Sequence, residues 1–229
     1  MKALVVFGLR AYVRSLRVLP PLIVVLLIIC VVLLPGLSGS GGADLATGAL
    51  GDVPAMLFPI WAWVARALPD TQPDEQQALS ATAARHPLIP TAAGLVASFV
   101  VNLGLGALAM ALPLAKAVAT GVGPAALAAG VLLLVLAALG ATLLGAYTTR
   151  ARIPAPGVSL LTLLAANVAV LLVSFSPVSW LSAPMTQWVR AAHDGPNALT
   201  AETPSLALHL LLWSTALAVG HTLLSRHPR

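Results

Sequence analysis

The chain has 229 residues, of which 59% are hydrophobic and only 8% charged, and its mean hydropathy is +0.96. A soluble domain is about half apolar, so this composition excludes one and places the chain in a lipid bilayer. The formal charge of +5 comes without interleaved aromatic platforms or finger motifs, which argues against a nucleic-acid partner, and the single Cys30 gives neither a disulfide framework nor a thiolate metal site within one chain.

Residues 1–19 put Val5, Leu9, Tyr12, Leu16 and Leu19 on one helical stripe, with Arg10, Arg14 and Arg17 opposite, as in an amphipathic helix lying in the membrane interface. A signal peptide also begins with a basic stretch, but the apolar run that follows is long and leads to no A-x-A cleavage site, so the segment is read as retained. Apolar runs long enough to cross the hydrocarbon layer follow at about 20–36, 49–68, 88–114, 124–149, 158–177 and 205–225. The expected fold is therefore all-α, a single polytopic domain over 1–229 with six transmembrane helices.

Span two closes on WAWVAR, where Trp61 and Trp63 suit the headgroup level and Arg66 can snorkel outward. The most polar stretch of the chain comes next. Pro73, Asp74 and Glu75 read as a helix start, and Arg85, His86 and Pro87 as its end, which predicts a cytoplasmic helix between spans two and three. Before span six, the segment 178–204 holds Trp180 and Trp188 as interfacial anchors and a short helix starting at Pro184 and ending near Gly195.

Of the twelve Lys and Arg residues, Lys2, Arg10, Arg14, Arg17, Arg66, Arg85, Arg150, Arg152, Arg226 and Arg229 fall on one side, leaving Lys116 and Arg190 for the other. Basic residues near membrane ends are retained in the cytoplasm, so both termini are expected there, in the cell membrane.

No G-x-x-x-x-G-K-[ST] occurs, so ATP hydrolysis by a P-loop is not expected of this chain. Gly36-Leu37-Ser38-Gly39 imitates the G-x-S-G of intramembrane serine proteases, but it falls in a loop with no oriented base. His209 and His221 stand roughly 120° apart around span six and do not make a paired metal or haem site. Acidic residues lie almost wholly outside the spans, only Asp52 falling near an outer end, which argues against proton-coupled transport and intramembrane hydrolysis.

Span three carries Gly94, Ser98, Asn102, Gly106 and Met110 at steps of four, a small and polar stripe that faces protein or water. Span four carries Ala137, Ala141 and Gly145, which suit close helix packing. Asn102 and Asn167 sit at similar depth in spans three and five, where each amide either bonds another helix or, with Ser98, lines a substrate route.

This layout resembles the permease subunit of the type-2 ATP-binding-cassette (ABC) exporters, in a compact actinobacterial-like form. The local likeness is carried by PDEQQALSATAARHPLIPTAAGLVASFVVNLGLGAL, similar to the acidic, Ala-rich lead into the third span of that family. The resemblance implies that Asp70, Asp74, Glu75, Gln76, Arg85 and His86 belong to a coupling helix docking on a separate P-loop ATPase subunit. ATP and Mg would be held by that subunit, with no cofactor in this chain, and a second copy or a sister permease would complete the pathway. Two other classes stay open: a non-transporting scaffold or immunity protein, and an intramembrane enzyme or small-solute carrier acting alone, of which the carrier should show internal repeats that the two halves lack.

Overall fold

The structure, a computed structural model, describes residues 1–37, 42–71 and 88–226. Among them every regular element is helical: α1 (Lys2–Arg14), α2 (Leu19–Leu37), α3 (Ala43–Ala67), α4 (Leu88–Ala119), α5 (Pro124–Ala146), α6 (Pro156–Ser174), α7 (Met185–His193) and α8 (Pro196–Arg226), with short 3-10 turns at Pro69–Thr71 and Ser179–Leu181. α3, α4, α5, α6 and α8 are each long and apolar enough to cross a membrane, and α1 with α2, bent by 76°, makes the sixth candidate. The protein is an all-α polytopic membrane protein.

The bend has a local cause. α1 ends at Arg14, the Ser15 hydroxyl donates back to the Tyr12 carbonyl at 2.9 Å, and Leu16 turns the chain with a φ of 57°. Leu16 and Leu19, expected on the apolar stripe, therefore leave it and are exposed, while Val5, Leu9 and Tyr12 keep to it and pack on the core beside α4.

Several helix ends differ from the expected ones. α3 starts at Ala43, because GADLATG is small enough to pack as helix where its glycines suggested a loop. α4 runs on to Ala119 with Pro113 inside it, and Gly121, at φ 81°, makes the tight turn into α5. α8 begins at Pro196, so Pro204, read as the last residue of the loop before span six, lies within the helix. Pro at a first turn and Pro further in are both compatible with long membrane helices, where neighbours re-satisfy the freed carbonyl.

α3 is the centre of the bundle: it packs against α2, α4, α5 and α7, and more lightly against α6 and α8. Leu50, Val53, Leu57, Trp61 and Ala62 have no exposed surface. Between membrane helices there is no second hydrophobic driving force, so cohesion depends on dispersion and close backbone approach, which small residues permit. α5 supplies them. Gly130 faces Leu50, Ala137 and Ala141 are fully buried, and a Cβ on Gly145 would overlap the Ala62 carbonyl. On another side of α5, Gly140 lies against Trp213 and Ser214 of α8. The stripe expected on α4 also faces protein, since Ser98, Asn102 and Met110 are buried and a Cβ on Gly106 would come within 3.0 Å of the Trp61 ring.

Trp61 and Trp188, expected as headgroup anchors, are instead fully buried core residues, whereas Trp180 is 68% exposed and Trp63 is half-buried. Trp188 is drawn inward because α7 folds onto α3 at a glycine seam, where Gly51 lies against Ala192 and Val189 and Gly48 against the His193 ring.

Gly145→Ala should lower the thermal stability of the detergent-solubilised chain by about 1–3 kcal/mol through overpacking. Gly104→Ala, with open space around its Cβ, should leave stability unchanged or slightly raised. Melting curves of the two variants side by side check this.

Candidate functional site

Among the described residues, the side-chain hydrogen bonds that link different helices and turns gather at two ends and one central point. At one end, α3 stops at Ala67 and the 3-10 turn Pro69–Thr71 begins the polar segment. Asp70 is bonded there from two directions. Arg17, just past the end of α1, donates from Nη1 to the Asp70 carbonyl at 3.0 Å, and the Arg150 amide, from the turn after α5, donates to the Asp70 carboxylate at 3.2 and 3.3 Å. Burial raises the Asp70 pKa above the ordinary aspartate value, against the opposing pull of the Arg150 amide and the charges of Arg66, Arg150 and Arg17.

Two further arginines tie down the same end. Arg66, expected to snorkel into water, donates from Nε to Ser159 Oγ at 2.6 Å and from Nη2 to the Pro156 carbonyl at 3.0 Å, while Ser159 donates to the Thr148 carbonyl. Arg152 donates from Nη2 to the His221 carbonyl at 3.0 Å and to Ser225 Oγ at 2.9 Å, and its guanidinium stands 5.6 Å from the centre of the Tyr147 ring. The Tyr147 hydroxyl in turn donates to the Leu217 carbonyl at 2.6 Å. Arg17, Arg66, Arg150 and Arg152 thus join the elbow after α1, the end of α3, the α5–α6 turn and the end of α8. The basic residues were legible as topology signals, but their partners are serines, backbone carbonyls and one aspartate far away in sequence.

Of the residues assigned to a coupling helix, Asp70 is described and sits at this junction; Asp74, Glu75, Gln76, Arg85 and His86 lie outside the described residues, as does Ser38. Arg10 and Arg14 are exposed along α1.

At the centre, Asn102 is fully buried and its Nδ2 donates to the Trp61 carbonyl at 3.0 Å and to Thr142 Oγ1 at 2.9 Å, while the Thr142 hydroxyl donates to the Ala138 carbonyl. One amide therefore joins α4, α3 and α5. Ser98, also fully buried, donates within its own helix to the Gly94 carbonyl at 2.9 Å. Asn167 is not brought near them: half-buried on α6, it donates to the Leu163 carbonyl of its own helix at 2.9 Å.

At the opposite end α7 is held in place. His193 Nε2 meets the Asp52 carboxylate at 3.0 and 3.1 Å, Ser174 bonds Thr186 at 2.7 Å, Ser182 donates to the Val170 carbonyl, and His209 Nε2 donates to the Trp180 carbonyl at 3.0 Å. The Asp52–His193 pair is a contact that sequence reasoning missed, since neither residue belongs to a motif. Among the described residues no group of three or more His, Cys, Asp or Glu is placed to hold a metal ion. Comparisons with protein-family models, curated proteins and solved structures return no match.

Removing Asn102 and Thr142 singly and together should reveal a coupling of about 0.6 kcal/mol, up to about 1.7, the range for polar pairs between membrane helices. Asn167→Ala, which breaks only a bond within one helix, should change stability by less than Asn102→Ala. Chemical denaturation in mixed micelles measures all four variants.

Because the folded-state pKa of Asp70 lies above its unfolded value, its contribution to stability is greatest below the unfolded pKa and declines as pH rises through the folded one. Asp70→Asn keeps an acceptor for the Arg150 amide and should flatten that decline. Melting temperatures of the two proteins across the acid range from pH 3 to pH 7 test this.

Proposed function

We propose that the chain is the membrane-spanning permease subunit of an ATP-driven exporter of the type-2 ABC kind, forming half of a translocation pathway and coupling to a separate P-loop ATPase subunit. The observation that carries this reading is the double attachment of Asp70. The polar segment after α3 follows directly on Asp70, a residue bonded both to the elbow of α1 and to the α5–α6 turn. A push delivered to that segment would load three parts of the bundle together, which is what a docking element needs if nucleotide-driven closure is to shift a permease between two states.

In this reading Asp70, Asp74, Glu75, Gln76, Arg85 and His86 face the ATPase, which holds ATP and Mg, and both termini lie in the cytoplasm. α1, with Arg10, Arg14 and Arg17, rests on the inner leaflet of the cell membrane. The Asn102 amide nitrogen and the Ser98 hydroxyl are taken up by bonds inside a packed core, which favours a pathway between two copies, or between this chain and a sister permease, over one through a single bundle. The same observation weakens the stand-alone carrier, which needs a polar route within a single chain. A scaffold or immunity protein would have no use for a docking segment anchored at two points.

Affinity purification of the chain in mild detergent, followed by mass spectrometry, tests the proposal. A P-loop ATPase should accompany the chain and should be lost when Asp74, Glu75 and Arg85 are replaced by alanine. A folded chain that purifies without any ATPase would overturn the reading in favour of a scaffold or a lone carrier.

A further inference from the structure

The elbow between α1 and α2 encloses a half-open crevice of about 140 Å³, lined by Tyr12, Arg17, Pro20, Pro21, Trp63 and Val64 together with Ala67. Three features of it belong together. Its walls are almost wholly hydrocarbon, supplied by two prolines in the first turn of α2 and by the last turns of α3. A single cation, Arg17, stands among them; it is exposed and spends one nitrogen on the Asp70 carbonyl, and Arg10 and Arg14 on the preceding helix extend the positive charge. Tyr12, a further lining residue, has a buried hydroxyl with no hydrogen-bond partner, which is costly to leave unmet.

The position of the crevice selects its occupant. It opens where the amphipathic α1 meets α2, and with α1 in the membrane interface, as its sequence suggests, the mouth would fall where lipid headgroups give way to acyl chains, a boundary that suits Trp63. A volume near the roughly 150 Å³ that accepts a benzene ring takes the glycerol-ester portion of a lipid but not a whole headgroup. The headgroup would stay at the mouth, beside Arg17. From this geometry we infer that the crevice is a binding site for one anionic phospholipid of the leaflet in which α1 lies, its glycerol-ester segment against Pro20, Pro21, Val64 and Ala67 and its phosphate paired with Arg17. The inference is independent of the transporter reading: besides the elbow and the end of α3 it needs only that α1 lies in the membrane interface. A bound lipid would brace the junction from which Arg17 reaches Asp70.

Native mass spectrometry of the full chain, exchanged into micelles containing equal phosphatidylglycerol and phosphatidylcholine, provides the test. One phosphatidylglycerol should be retained in preference to phosphatidylcholine. Retention should fall about fivefold in Arg17→Gln, as expected for removing one cation near an anionic lipid, and as much in Ala67→Phe, which fills the crevice and leaves the cation in place. Lys2→Gln, at the far end of α1, should retain it as before. Equal retention of both lipids, unchanged retention in Ala67→Phe, or displacement of the lipid by inorganic phosphate alone would each overturn the proposal.

A second measurement does not depend on the folding of the filled variant. Brominated phosphatidylglycerol should quench tryptophan fluorescence of the unmodified chain more than brominated phosphatidylcholine does, and the difference should vanish in Trp63→Phe. A difference that survives loss of Trp63 places the lipid elsewhere.

Discussion

The approach of α5 to α3 is the constraint on which the rest of the bundle depends. Once both helices are in hydrocarbon, burying leucine against leucine is little better than burying it against lipid, so a stable pair needs closer contact than side chains of ordinary size allow. Gly145 supplies that at one end of the pair, where its α-carbon takes the space beside the Ala62 carbonyl, and Gly130 supplies it at the other, against Leu50. With the axes drawn together, Thr142 comes within reach of Asn102 and the Trp61 carbonyl of the same amide. The three-helix bond is thus a consequence of the small residues, and it fixes the rotation of α4 that dispersion alone would leave loose.

The two ends of the molecule are built differently. At the Asp70 end, long arginine side chains reach across gaps to carbonyls and hydroxyls, and the bonds connect segments that end or turn there. At the α7 end the contacts are short and close-packed: glycines of α3 receive the backbone of α7, and a histidine–carboxylate pair locks the seam. Long side chains at a bundle's end tolerate displacement, because torsions can absorb it; a glycine seam does not. The asymmetry suits a protein in which force enters at the Asp70 end, as proposed above.

Much of the fold was legible in the sequence because hydrocarbon thickness dictates the length of each apolar run, and every expected span contains a helix. Ala137, Ala141 and Gly145 announced a close-packed face, and that face is where α5 meets α3. Helix ends were less legible. Pro204 was read as closing the loop before span six, yet a proline is equally compatible with the interior of a long membrane helix, and nothing nearby in sequence separates the two cases. Trp188 was misread because a tryptophan beside a span ordinarily marks the headgroup level, and the glycine seam that buries it belongs to a helix well over a hundred residues earlier. Asn102 announced itself as a buried amide, but its partners, a backbone carbonyl and a threonine, have no pattern of their own. The Asp70 junction was half legible: its arginines were visible as charges and invisible as bonds.

α6 stands apart from this economy. Leu161, Leu164, Val168, Leu171 and Leu172 are all exposed, and the helix is tied at one end by Ser159 and Pro156 to Arg66 and at the other by Ser174 to Thr186. Between those ties few of its side chains are buried. Selection acting on the fold therefore sees α6 as two anchored ends and an apolar cylinder, so its middle should drift among Leu, Val, Ile and Phe far faster than α3 or α5. If its outward face proves constrained in descendants of this sequence, that constraint comes from something outside the chain pressing against it.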